Sequence, residues 1–119
     1  MKLLIVDDSM IIRRMIERNL DSSKFSEIET ASNGSMAVEK FTASPADVVT
    51  MDITMPEMDG LACIEKLIAI KEDVRILVVS ALADKSTAVE AVKRGAEGFL
   101  LKPFTQESLE EAFNEVLED

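Results

Sequence analysis

Leu3-Leu4-Ile5-Val6-Asp7-Asp8 is an unbroken apolar run closed by two acids. A strand with one wet face alternates apolar and polar residues, whereas a strand covered on both faces reads as a continuous apolar run, as in a parallel sheet flanked by helices. Ser9 then stands where a helix cap is wanted. Ile12, Met15, Ile16 and Leu20 recur at helical spacing between Arg13, Arg14, Glu17 and Arg18. The first unit is therefore a buried strand followed by an amphipathic helix.

The same unit returns along the chain. Glu27 to Ala31 is a more polar strand, as an edge position would explain, and Met36 to Phe41 is a short helix after the Asn33-Gly34 turn. Asp47 to Met51 is strand-like and ends at Asp52; Leu61 to Ile70 is helical; Arg75 to Val79 is strand-like and ends at Ser80. Thr87 to Arg94 is helical up to Gly95, a good C-terminal cap, and Phe99 to Leu101 is a last apolar strand closed by Lys102-Pro103. Leu109, Ala112, Phe113, Val116 and Leu117 form the apolar stripe of a final helix whose other face carries Glu110, Glu111, Glu115 and Glu118. Strict alternation of strand and helix over five units implies an α/β fold with a parallel sheet, right-handed crossovers and helices on both faces.

Composition narrows the function. The 119 residues suit a single domain, 1–119, with no room for an output domain. The 13 basic against 23 acidic residues give a net charge of −10, which repels nucleic-acid phosphates and anionic lipid, so neither is an expected partner. With no histidine and only Cys63 as a thiol, zinc clusters, histidine triads and internal disulfides cannot be assembled. The apolar run from Leu3 to Val6 is far shorter than a signal-peptide core or the roughly 20 residues of a membrane span. A cytoplasmic location is expected. Cys63 is expected in the core or on a helix flank.

In an open parallel sheet, ligands sit at the carboxyl ends of the strands, near the point where strand order reverses. The residues that end strands here are Asp7 and Asp8, Asp52, Ser80 and Lys102. Three carboxylates gathered in this way repel one another by about 4 kcal/mol per close pair near a protein surface, so a cation is expected. Hard oxygen ligands favour Mg²⁺, which also accepts a phosphate oxygen. One carboxylate could then act as nucleophile toward phosphorus, with Lys102 and the ion neutralising charge and the Ser80 hydroxyl hydrogen-bonding a phosphoryl oxygen. Taken singly, each piece has a plainer explanation: Asp7-Asp8 as a helix-capping turn, Asp52 as a solvated loop acid, Lys102-Pro103 as an ordinary turn. The joint pattern at successive strand ends is what points to phosphoryl chemistry.

Asp7-Asp8, the stretch Met51-Asp52-Ile53-Thr54-Met55-Pro56-Glu57-Met58-Asp59-Gly60, Ser80-Ala81 and Lys102-Pro103-Phe104 together resemble the receiver domain of two-component response regulators, and the likeness spans essentially the whole chain. It is nearest to the stand-alone chemotaxis members. The resemblance implies a flavodoxin-like, doubly wound (βα)5 fold with a five-stranded parallel sheet in the order 2-1-3-4-5. It also implies that Asp52 is the phosphoacceptor for a sensor histidine kinase. Asp8, Asp52 and the Thr54 backbone carbonyl would ligate Mg²⁺ directly, and Asp7 largely through water.

Ser80 and Phe99 would form the switch pair, and Lys102 would precede a cis peptide. The chain would catalyse only its own phosphorylation and dephosphorylation, as a signalling switch and not an enzyme in the ordinary sense. It would act as a monomer on the flagellar motor switch, with a separate phosphatase as a further partner. The output surface would be built by the helix from Lys85 to Gly95, the last strand and the last helix. Phe99 stands where some chemotaxis relatives carry tyrosine, so a contact needing a phenol hydroxyl is not expected.

Other protein classes share parts of this pattern. A haloacid-dehalogenase-type phosphatase wants a second acid two residues after its nucleophile, where this chain has Thr54. A flavodoxin's first loop must accept a phosphate, which Asp7-Asp8 would repel. An EF-hand needs ligands that Asp52, Thr54 and Pro56 do not supply. A phosphorelay intermediate would have the same architecture, and so would a receiver-shaped adaptor that is never phosphorylated, although the complete acidic site argues against the adaptor.

Overall fold

The apolar runs from Leu3 to Val6 and from Ile76 to Val79 form strands buried on both sides, whereas the last run, Phe99 to Leu101, stays partly exposed. The computed structural model describes residues 1–20, 22–53, 60–81 and 85–118. In chain order the elements are β1 (Lys2–Val6), α1 (Met10–Asn19), a 3-10 turn (Ser22–Lys24), β2 (Glu27–Ala31), α2 (Gly34–Ala43) and β3 (Val48–Met51). There follow α3 (Gly60–Ile70), β4 (Arg75–Ser80), α4 (Lys85–Lys93), β5 (Gly98–Leu101) and α5 (Gln106–Leu117). The strands form one parallel sheet in the order β2-β1-β3-β4-β5.

Side chains alternate across this sheet, as the two-residue strand period requires. Leu4, Val6, Val49, Met51, Ile76 and Val78 pack with Ala37 and Phe41 of α2, Cys63, Ile64 and Leu67 of α3 and Ala91 of α4. Leu3, Ile5, Val48, Leu77 and Val79 pack on the other side with Ile16 of α1 and Leu109, Phe113 and Val116 of α5. Phe25 joins this second layer edge-on to Phe113, with ring centroids 6.0 Å apart. Cys63 is fully buried, as expected of a core position.

β2 shows why one strand reads differently. As an edge strand it buries only Ala31 fully, and its Glu27 and Glu29 pair with Lys2 of β1. The helix starts follow capping chemistry. Ser9, Asn33 and Thr105 each accept a backbone N–H from the first turn of α1, α2 and α5, and Thr105 forms a capping box with Ser108. Gly95 ends the segment after α4 with φ of +120°, and a Cβ there would also collide with Ile68.

Candidate functional site

The ladder hydrogen bonds run on past the strand ends and deliver the polar residues in pairs. Asp7 N–H donates to the Ala31 carbonyl at 3.1 Å and Asp52 N–H to the Val6 carbonyl at 3.0 Å, so the ends of β1 and β3 leave the sheet side by side. β1 is also where strand order reverses, the place an open α/β sheet offers a ligand. Lys102 N–H donates to the Ser80 carbonyl at 2.8 Å, which brings the β4 and β5 ends together in the same way.

Asp7, Asp52 and Ser80 are buried, while Asp8 is exposed. Asp7, Asp8 and Asp52 each present a carboxylate oxygen, and the three lie within 4.8 Å of one another. Lys102 reaches in from β5: its ammonium lies 2.6 Å from Asp7 Oδ2 and 3.5 Å from Asp52 Oδ2. Asp7 is held on both oxygens, because Oδ1 accepts the Ser9 N–H at 2.9 Å. Burial nevertheless pushes the Asp7 carboxyl above its ordinary range; the Lys102 and Ser9 hydrogen bonds oppose the shift and the Asp52 charge adds to it.

The donor set suits a hard divalent cation. Three carboxylate oxygens gathered within 4.8 Å are close enough to serve one ion together. The Thr54 carbonyl, the fourth ligand expected from the resemblance, falls outside the described residues, as do Met55 and Met58.

Asp7, Asp8, Asp52 and Lys102 are therefore brought to one place, and the Ser80 backbone lies beside that of Lys102 at the end of the neighbouring strand. Phe99 is not at the cluster itself. It lies in register with Val78, two residues before Ser80 along the sheet, and packs half-buried against the layer under α2 to α4. The Lys102–Pro103 peptide is cis.

Two contacts were not expected from the sequence. Arg13 donates from Nη1 to the Asp7 carbonyl at 2.6 Å. Its signal was a cation six residues beyond Asp7, on the helix that follows the two acids. Gly60 opens α3 directly on the backbone that carries Asp52: a Cβ there would lie 2.5 Å from the Asp52 carbonyl oxygen and 2.4 Å from Ile53 Cα. A glycine just before a helical stretch, four residues after Pro56, was its only sequence mark.

Comparison with known proteins agrees with this geometry. The family model of the response regulator receiver domain matches residues 3–114. The chain is 40% identical over 116 residues to the chemotaxis protein CheY of Bacillus subtilis (strain 168), covering 98% of this chain and 97% of that protein. It is 39% identical over 115 residues to CheY of Thermotoga maritima, covering 97% and 96%. Among solved structures, Vibrio cholerae CheY4 superposes with a TM-score of 0.88 at 32% identity, covering 98% of both chains. The Borrelia burgdorferi CheY of a CheX-CheY-BeF3-Mg complex superposes with a TM-score of 0.91 at 31% identity, covering 99% of this chain and 90% of that one.

Proposed function

The chain belongs to the response regulator receiver family, and on that premise we propose that Asp52 accepts a phosphoryl group from the phosphohistidine of a sensor histidine kinase, with Mg²⁺ bound beside it. The chain is a phosphorylation-activated signalling protein of the chemotaxis class. The observation that carries the assignment to Asp52 is the convergence of three carboxylates within 4.8 Å, with the Lys102 ammonium reaching two of them.

An Asp52 carboxylate oxygen attacks phosphorus in line with the P–N bond of the phosphohistidine. The P–O bond forms as the P–N bond breaks, the bonding pair returns to the imidazole, and the product is an acyl phosphate. When bound by Asp8, Asp52 and the Thr54 carbonyl, with Asp7 acting through water, Mg²⁺ supplies positive charge to the phosphoryl oxygens. Lys102, already beside the Asp52 carboxylate, neutralises a further oxygen, and the Ser80 hydroxyl hydrogen-bonds another. Loss of the phosphoryl to water resets the switch, so the chain catalyses only its own phosphorylation and dephosphorylation.

Ser80 and Phe99 relay the change of state to the face made by α4, β5 and α5. There Val89, Val92 and Leu101 are 47%, 56% and 45% exposed, large apolar side chains of the kind a partner covers. The partner is a flagellar motor switch protein, with a phosphatase as a second. The CheX complex of the Borrelia relative is a precedent for such contacts. The protein acts as a monomer in the cytoplasm. No helix among the described residues is long and apolar enough to cross a membrane.

Incubation with MgCl₂ and a small acyl phosphate, followed by intact-mass measurement, tests the assignment. Wild type is expected to gain one acid-stable, base-labile phosphoryl group and Asp52→Asn to gain none. Equal labelling of the two proteins, or no labelling of wild type, would remove Asp52 from the mechanism.

A further inference from the structure

Asp8 is the exposed member of the acidic set, and its direction depends on the backbone that presents it. The carbonyl oxygen that accepts the Arg13 Nη1 hydrogen bond, at 2.6 Å, belongs to the peptide joining Asp7 to Asp8. A guanidinium at this distance makes a short, charge-assisted bond. It fixes the plane from which the Asp8 Cα departs. The neighbouring atoms of Asp7 are held as well: its N–H by Ala31, Oδ1 by the Ser9 N–H and Oδ2 by Lys102. Arg13 is anchored in turn, since its backbone N–H donates to the Ser9 carbonyl at 3.0 Å in the first turn of α1.

We infer that Arg13 is a positioning residue for the Mg²⁺ site, aiming the Asp8 carboxylate through the Asp7–Asp8 peptide without touching the ion. The inference rests on the Mg²⁺ reading above. Groups that orient metal ligands from behind affect metal affinity by about tenfold or more when removed. Arg13 offers an unusually clear sign test. If it acted only as a nearby positive charge it would repel the cation, and its removal would tighten binding. If it positions Asp8, its removal weakens binding.

Titration calorimetry of the whole chain with MgCl₂, alongside the ¹³C′ shift of Asp7 in metal-free protein, reads both the affinity and the hydrogen bond. Arg13→Met is expected to raise the Mg²⁺ dissociation constant by about tenfold and to move the Asp7 carbonyl resonance. Arg13→Lys, which keeps a cationic donor, is expected to recover most of both. Arg13→Ala, which likewise has no side-chain donor, replaces the methionine variant if that variant does not fold, with the same direction expected. Binding of MgCl₂ by Arg13→Met, or by that replacement, as tight as or tighter than wild type overturns the inference, and so does a lysine variant no better than it. Failure of wild type itself to bind MgCl₂, or equal binding by Asp52→Asn, would sink the Mg²⁺ reading and this inference together, an outcome distinguished by which protein shows it.

Discussion

Lys102 sits closer to Asp7 than to Asp52, at 2.6 Å against 3.5 Å, although Asp52 is the proposed acceptor. The lysine thus neutralises the acid that shares the cluster and leaves the Asp52 carboxylate less tightly engaged by the ammonium.

Replacing Lys102 with methionine removes the ammonium from two buried acids. Metal-free protein is expected to lose about 2 kcal/mol of stability, a drop read in Tm by calorimetry, and MgCl₂ is expected to restore part of it. Phosphoryl acceptance should slow by about 100-fold. An unchanged labelling rate would mean that Lys102 takes no part in charge neutralisation.

Asp7 makes the opposite contribution. Its folded-state pKa is raised by burial, so its contribution to stability is fully present below the unfolded pKa and is lost as pH rises through the folded pKa. Asp7→Asn should therefore be more stable than wild type at neutral pH without metal, by about 1 kcal/mol. The gap should shrink on mild acidification, and Mg²⁺ should bind the variant more weakly. A variant less stable than wild type at neutral pH would show that the Lys102 pairing outweighs burial.

Gly60→Ala tests the close approach of α3 to the Asp52 backbone. With a Cβ placed 2.4 Å from Ile53 Cα, the helix or the acceptor must shift, at a cost of about 1–3 kcal/mol. Because the displaced backbone carries Asp52, labelling with an acyl phosphate should slow as well. Wild-type Tm and rate together would show that α3 keeps a greater distance from Asp52 in solution.

Thr50 lies in the core of the sheet on β3, in register with Ile5 and Leu77, and among the described residues its buried hydroxyl has no hydrogen-bond partner. Thr50→Val keeps the shape and removes the unsatisfied group, so urea unfolding should find it more stable by about 1 kcal/mol. Loss of stability would reveal a hidden partner for the hydroxyl.

Much of the fold and the site is legible in the chain itself. Leu3 to Val6 announces a doubly covered strand because a continuous apolar run has no wet face, and Glu27 to Ala31 announces an edge for the opposite reason. Asp7, Asp8, Asp52, Ser80 and Lys102 are identifiable because each ends a strand, and a parallel sheet collects its strand ends on one side. Strand order was a different matter, carried by likeness to a family; here it is seen in registers such as Leu3 with Val48 and Ser80 with Leu101.

What the sequence alone determined was periodicity: which faces are buried, in what order strands and helices follow, and which acids lie at strand ends, since burial and capping act over a few neighbouring positions. The exact bounds were not among these, the second helix running from Gly34 to Ala43 against the expected Met36 to Phe41. Only the tertiary structure decided that Lys102 chooses Asp7, 95 residues away, that Arg13 grips the peptide between the two acids, and that Gly60 alone fits against Asp52. Those choices depend on ångström distances between side chains and backbone brought together by the sheet, and no local pattern in a chain encodes them.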